Sequence, residues 1–142
     1  MGDTPKHSVS VAGIVVDDQD RILVIQRRDN GQWEPPGGVL ELDETPEAGV
    51  YREVFEETGV SVRVERLSGV YKNMTRSVVS LVFRCVPIGG LPQRSDESSD
   101  VCWASREFLR SAVDEAYLIR ILDAFASEVS VRSHDGVSLL PN

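Results

Sequence analysis

Between Thr45-Pro46 and Gly59 lies the stretch whose local structure the residues dictate most firmly. Thr45 is a good N-cap, and Pro46 suits the first helical position, where its missing N–H costs nothing. Glu47 sits in the first turn, where the helix dipole favours an acid. Gly59 suits the left-handed residue just past a helix C-terminus. Tyr51, Val54, Phe55 and Thr58 recur at a spacing of three to four and predict the face turned to the core. The run before this helix, Trp33–Asp43 (WEPPGGVLELD), places two prolines ahead of two glycines, a combination that no regular element accommodates. It reads as a constrained loop feeding directly into a capped helix.

The remaining chain must supply the layers that bury this helix. Ser8–Val16 (SVSVAGIVV) and Arg21–Arg27 (RILVIQR) have strand character and flank the polar turn DDQD, which predicts a hairpin. Val60–Tyr71 alternates as a strand, and Lys72–Arg76 is a polar turn. Ser77–Val86 is the most hydrophobic strand candidate. Gly89–Asp100 reads as a polar loop and Val101–Ala104 as a short strand. Ser105 caps a short helix over Arg106–Ala112. Asp114 caps a longer one over Glu115–Ser127, with Tyr117, Ile121, Leu122 and Phe125 on one face. In the tail Val129–Asn142, Asp135-Gly136 allows either a small hairpin or a loosely ordered end. No linker divides the 142 residues, so residues 1–142 are expected to form one domain. The order of elements predicts an α/β architecture, a mixed sheet with helices packed on it.

Composition excludes several classes. The longest apolar runs are about five residues, against the roughly 20 that span a bilayer. The first residues lack the basic start and apolar core of a leader peptide. Two cysteines, Cys85 and Cys102, are too few for a disulfide framework and read as small buried hydrophobes. A reducing cytoplasm is the expected location. A net charge of −8 disfavours binding to a nucleic-acid polymer, which needs a basic footprint. His7 and His134 lie near the ends and are not expected to be catalytic.

The negative charge is concentrated. Residues 38–60 hold seven acids and one base, Arg52. On a helix, Glu53, Glu56 and Glu57 fall within about 100° of one another. Like charges at these spacings repel. A solvated helix face is the plain reading. A hard divalent cation, which takes oxygen ligands, is the alternative. Gly37-Gly38 favours the second, because glycines let backbone approach a phosphate or a metal closely.

Gly38, Glu44, Arg52-Glu53-Val54, Glu56-Glu57 and Gly59-Val60 fit the pattern G-x5-E-x7-R-E-U-x-E-E-x-G-U at every specified position, U being a bulky aliphatic residue. The chain therefore resembles the Nudix hydrolases, MutT-like enzymes that split diphosphate linkages. The resemblance implies an α/β/α sandwich around a mixed sheet, with Mg2+ (or Mn2+) held by Glu53, Glu56, Glu57 and the Gly38 carbonyl (or that of Gly37). It implies that Glu44 and Arg52 pair to support the loop. One of the three helix acids, or an acid in Ser95–Asp100, deprotonates the attacking water. Glu97 is the first choice there and Asp100 the second. Arg27 and Arg28 are candidates for substrate phosphate, and Trp33, Tyr71 and Asn73 for the organic group. Asp43 and Gly49 depart from residues common in the family, Gly and Ala, without removing a ligand. The implied substrate is a small nucleotide, either a nucleoside diphosphate linked to another moiety or a nucleoside triphosphate, with no membrane partner. Homodimers are frequent in the family. A nucleotide-sensing module without catalysis is the alternative.

Overall fold

A computed structural model describes residues 2–141. The elements are β1 (Ser8–Val15), β2 (Ile22–Arg27), β3 (Trp33–Glu34), β4 (Gly37–Val39), α1 (Pro46–Thr58), β5 (Val60–Asn73) and β6 (Val78–Gly90). They continue with β7 (Ser98–Ala104), α2 (Arg106–Ala112), α3 (Glu115–Asp123), β8 (Ser130–His134) and β9 (Leu139–Leu140). Six strands form a mixed sheet in the order β4-β1-β6-β5-β8-β9, and three form a second sheet, β3-β2-β7. β1 runs parallel to β6 and antiparallel to β4; β5 runs parallel to β8.

Period-two alternation along β1 builds a core on each face. Val11 and Val15 join Leu23, Val50, Val54, Val62 and Phe83 beneath α1. Ala12, Ile14 and Val16 join Ile22, Val24, Leu109 and Ile121 beneath α2 and α3. The result is the helix–sheet–helix sandwich that the family resemblance implied. Among the described residues, no helix is long and apolar enough to cross a membrane.

The structure corrects four local expectations. β1 and β2 do not form a hairpin. They share one bridge, Val16 to Ile22, around a turn in which the Asp17 carboxylate accepts the amides of Gln19 and Arg21. They then part into different sheets, because each is buried on both faces and needs its own neighbours. The Trp33–Asp43 loop contains the short strands β3 and β4. The buried arc of α1 holds Gly49, Val50, Val54, Glu57 and Thr58, whereas Tyr51 and Phe55 are 46% and 49% exposed. Gly49 is required by packing, since a Cβ there would lie 2.7 Å from Leu40 Cδ1. Finally, α3 stops at Asp123 rather than Ser127. Arg66 and Arg84 donate to the carbonyl of Ala124, and Arg66 also to that of Ala126, so side chains finish the helix end. The tail takes the hairpin alternative, its turn held by Asp135 accepting the amides of Val137 and Ser138.

Candidate active site

The caps predicted for α1 are in place. The Thr45 hydroxyl accepts the Ala48 amide at 3.2 Å, and Gly59 is left-handed at φ 78°. This fixes the helix so that Glu53, Glu56 and Glu57 border one cleft of about 440 Å³. Gly37, Gly38 and Val39 form a second wall. Ser95, Asp96 and Glu97, from the loop before β7, form a third.

β1 sets the glycine wall. Ala12 pairs with Gly37 and Val11 with Gly38, which draws this backbone over the helix. A Cβ at Gly38 would lie 2.6 Å from the Glu53 carboxylate, so only glycine allows that approach. Glu57 is 6% exposed, and its Oε1 accepts the Gly37 amide at 2.7 Å. Burial pushes the Glu57 carboxyl up to about 8, and the neighbouring acids Glu53, Glu34 and Glu97 add to the rise despite that hydrogen bond. Glu53 is also raised, chiefly by burial, although Arg52 opposes it.

Arg52 organises the remaining acids. Its Nε and Nη2 donate to the two Glu44 oxygens at 2.9 and 2.6 Å, a fork-to-carboxylate pair. Its Nη1 reaches Glu53 at 2.7 Å and Glu56 at 3.3 Å, and its Nη2 reaches the Val39 carbonyl at 3.3 Å. Glu44 also accepts the Glu41 amide, so it ties the loop to the helix as the resemblance implied. Hydrogen bonding from Arg52 holds the Glu44 carboxyl down to about 2.

The donor set fits a hard divalent cation. It is all oxygen, it includes a buried carboxylate with no ion-pair partner among the described residues, and a carbonyl-bearing glycine backbone lies beside it. Among the described residues, no three acids, histidines or cysteines are arranged to hold an ion by themselves. Arg52 holds the Glu53 and Glu56 carboxylates in this state, and magnesium ordinarily takes only one or two carboxylates, with waters and substrate oxygens completing its shell.

Outside the helix the expected site residues divide. Glu97 lines the cleft; Asp100 does not and instead accepts the Val101 amide. Arg27 lines the cleft, with its guanidinium on Asp29 and Glu34. Arg28 is absent from the cleft lining and donates to the Ser95 carbonyl, so it positions the Glu97 loop. Trp33 and Asn73 line neighbouring cavities. Tyr71 must be corrected: it is fully buried and donates to Asp123 at 2.7 Å, which makes it core and closes it to substrate. Cys85 is buried, its thiol pushed up to about 12 by burial, as an inert core residue should be. Sequence reasoning missed Arg120 and Glu34, which the fold brings to the cavity across Gly37-Gly38. No local pattern marks either one.

Comparison with known proteins gives consistent results. The NUDIX domain profile matches residues 6–124. A MutT-like protein of Streptomyces ambofaciens is 57% identical over 138 residues, 96% of this chain and 90% of that protein. An ADP-ribose pyrophosphatase of Methanocaldococcus jannaschii is 39% identical over 100 residues, 66% of this chain and 59% of that protein. A solved ADP-ribose pyrophosphatase from Streptococcus suis superposes with a TM-score of 0.75 at 24% identity, covering 89% of this chain and 99% of the other. At that identity the likeness speaks for the fold.

Proposed function

From the premise that the chain belongs to the Nudix hydrolases and is a pyrophosphohydrolase, we propose that it is magnesium-dependent and acts on small nucleotides. The linkage cleaved is the diphosphate of a nucleoside diphosphate joined to another moiety, or of a nucleoside triphosphate. The observation that carries this reading is Glu57, a buried carboxylate beside two glycines with other acids around it and no base paired to it among the described residues. Such a group is costly to ionise unless a cation joins it.

Glu53, Glu56, Glu57 and the Gly38 carbonyl would hold the cation. When bound, it neutralises the diphosphate and makes an attacking water more acidic. Glu97 lines the same cleft from the loop before β7 and takes the proton of the attacking water onto its carboxylate. The water oxygen forms the new P–O bond, and the bridging oxygen leaves with the departing phosphate. Arg52 positions Glu53 and Glu56, and Arg28 positions the Glu97 loop. The free thiols fit a reducing compartment.

The deciding experiment is a hydrolysis screen of nucleoside triphosphates, sugar nucleotides, ADP-ribose and dinucleoside polyphosphates with magnesium and with manganese. Turnover that needs metal and is reduced by Glu56→Gln and Glu97→Gln is expected. Tight nucleotide binding with no turnover anywhere in the panel would replace this reading with the sensing module.

A further inference from the structure

Three charged residues are buried among the described residues: Glu57, Asp123 and Arg120. Glu57 belongs to the acidic cleft. Asp123 is neutralised, taking two bonds from Arg132 at 2.8 and 2.9 Å and one from the Tyr71 hydroxyl. Arg120, only 6% exposed, forms no ion pair with a carboxylate among the described residues, and its Nε has no hydrogen-bond partner. The guanidinium is clasped between the rings of Tyr71 and Tyr117, at 5.0 and 4.7 Å from their centroids. Ring faces attract its charge but leave its N–H groups without acceptors.

Its one polar side-chain contact among the described residues does not satisfy it either. Arg120 Nη2 lies 3.2 Å from His134 Nε2, while the Gly136 amide donates to His134 Nδ1 at 2.9 Å. A neutral imidazole carries one ring proton and one acceptor nitrogen. With Nδ1 accepting, the proton is on Nε2 and faces another donor. With the proton on Nδ1, it faces the Gly136 amide. Either tautomer sets one donor against another, and a doubly protonated ring sets two. The cluster therefore has more N–H donors than acceptors. Arg120 and His134 line a cavity of about 330 Å³, together with Arg76, which makes no ion pair among the described residues. That cavity shares Arg27, Gly37, Gly38 and Val39 with the acidic cleft, so one ligand can occupy both.

We infer that Arg120 is the specificity residue for the part of the substrate beyond the cleaved diphosphate, and that it selects a group presenting oxygen acceptors and no donors. This rests on the proposed cleavage at the acidic cleft. Two groups carry that chemistry next to a nucleoside diphosphate: the 6-carbonyl edge of a purine, and a further phosphate. An arginine fork fits the carbonyl and N7 of such a purine, whereas the 6-amino group of adenine sets donor against donor. A phosphate suits a fork equally well.

Titration calorimetry without magnesium tests the inference on binding, independently of turnover. Two matched pairs are compared: ITP against ATP, and ADP carrying a 3′-phosphate against ADP. The acceptor-bearing member of at least one pair is expected to bind about tenfold tighter, in keeping with a hydrogen bond to a charged group. Arg120→Met should erase that preference. The pair that responds identifies the group. No discrimination in either pair, or a preference that survives Arg120→Met, overturns the inference. Glu34 borders the same cavity and attracts the guanidinium without pairing with it. Methionine keeps the length of the side chain and removes a buried charge that has no ion-pair partner among the described residues, so the melting temperature is expected to hold or rise. A lower melting temperature with binding preferences intact would make Arg120 structural. Should Arg120→Met not fold, Arg120→Lys tests the same point, since it keeps the charge and loses the fork. Failure of the hydrolysis screen would strike the proposed function and leave this binding result readable.

Discussion

Glu57→Gln is expected to make the metal-free protein more stable and the enzyme nearly inactive. The amide keeps an oxygen to accept the Gly37 N–H and removes the buried charge. The Glu57 carboxyl sits at about 8 in the folded protein, against 4.5 as its ordinary value. Its folded form therefore holds the proton more tightly than the unfolded chain. The stability this carboxyl contributes is fully present below about pH 4.5 and is lost as the pH rises through about 8. At 1.36 kcal/mol per pH unit the span sets a ceiling of about 5 kcal/mol on the cost of ionising it. Glu53, Glu34 and Glu97 contribute part of that cost and relax when it is relieved, so roughly 1–2 kcal/mol is the expected gain for the variant above pH 8.

For a chain of this size that gain corresponds to a rise of about 3–6 °C in melting temperature near pH 9, shrinking toward zero near pH 5. Magnesium should reverse the order. It stabilises a protein that binds it in the folded state alone, and it does so for the wild type more than for Glu57→Gln. Thermal denaturation at several pH values, with and without magnesium, measures all of this. The rate is expected to fall by two orders of magnitude or more, as for a lost ligand or base. A variant less stable than wild type at every pH, or magnesium stabilising both proteins equally, would refute the argument that Glu57 is a charge waiting for a cation.

Gly38→Ala puts a Cβ 2.6 Å from the Glu53 carboxylate. That carboxylate ends a flexible side chain, so we expect it to swing away at a stability cost of about 1 kcal/mol or less. The steady-state rate should fall about 100-fold, and an unchanged rate would show that the position of Glu53 does not matter. Arg52→Met should lower both stability and rate, since one guanidinium holds Glu44, Glu53 and Glu56. The Glu44 carboxyl is held down to about 2, so its contribution is complete above about pH 4.5 and is lost as pH falls toward 2. The melting-temperature gap between wild type and Arg52→Met should close over that range. A gap independent of pH would place the stabilisation elsewhere.

The acidic helix α1 was legible because its determinants are local. Caps, first-turn acid and acidic spacing all lie within one short segment, and the structure keeps each of them. What the residues did not disclose is which arc of the helix would be buried. Tyr51 and Phe55 are the larger apolar residues, yet Val50 and Val54 fit the close approach of β1, and the rotation that buries them also buries Glu57. The β1–β2 hairpin failed for a related reason. Alternation and a turn predict pairing, but they do not count the faces a strand must cover. Arg120 was invisible because an arginine in an amphipathic pattern reads as surface. Only the packing of α3 against β5 and β8 shows it enclosed by Tyr71, Tyr117 and His134.

β1 holds the acidic cleft and the cavity beside it in a fixed relation, although no residue of β1 belongs to the motif. Its edge holds Gly37 and Gly38 in register, which places the Gly37 amide on Glu57 and the Gly38 backbone against Glu53. One of its faces, through Val11 and Val15, seats α1 and thereby aims the three glutamates. The same stretch of strand, at Ser10, Val11 and Ala12, also borders the cavity that holds Arg120 and His134. A shift of β1 along β6 would therefore move the glycine wall against the acids and alter the distance from the acids to the guanidinium in one displacement. The parallel ladder from Ser8–Val78 to Val15–Cys85 resists that shift along its whole length. Such rigidity suits the proposed site, which would hold a diphosphate at one end and read a chemical group at the other, because both ends are then measured from one strand.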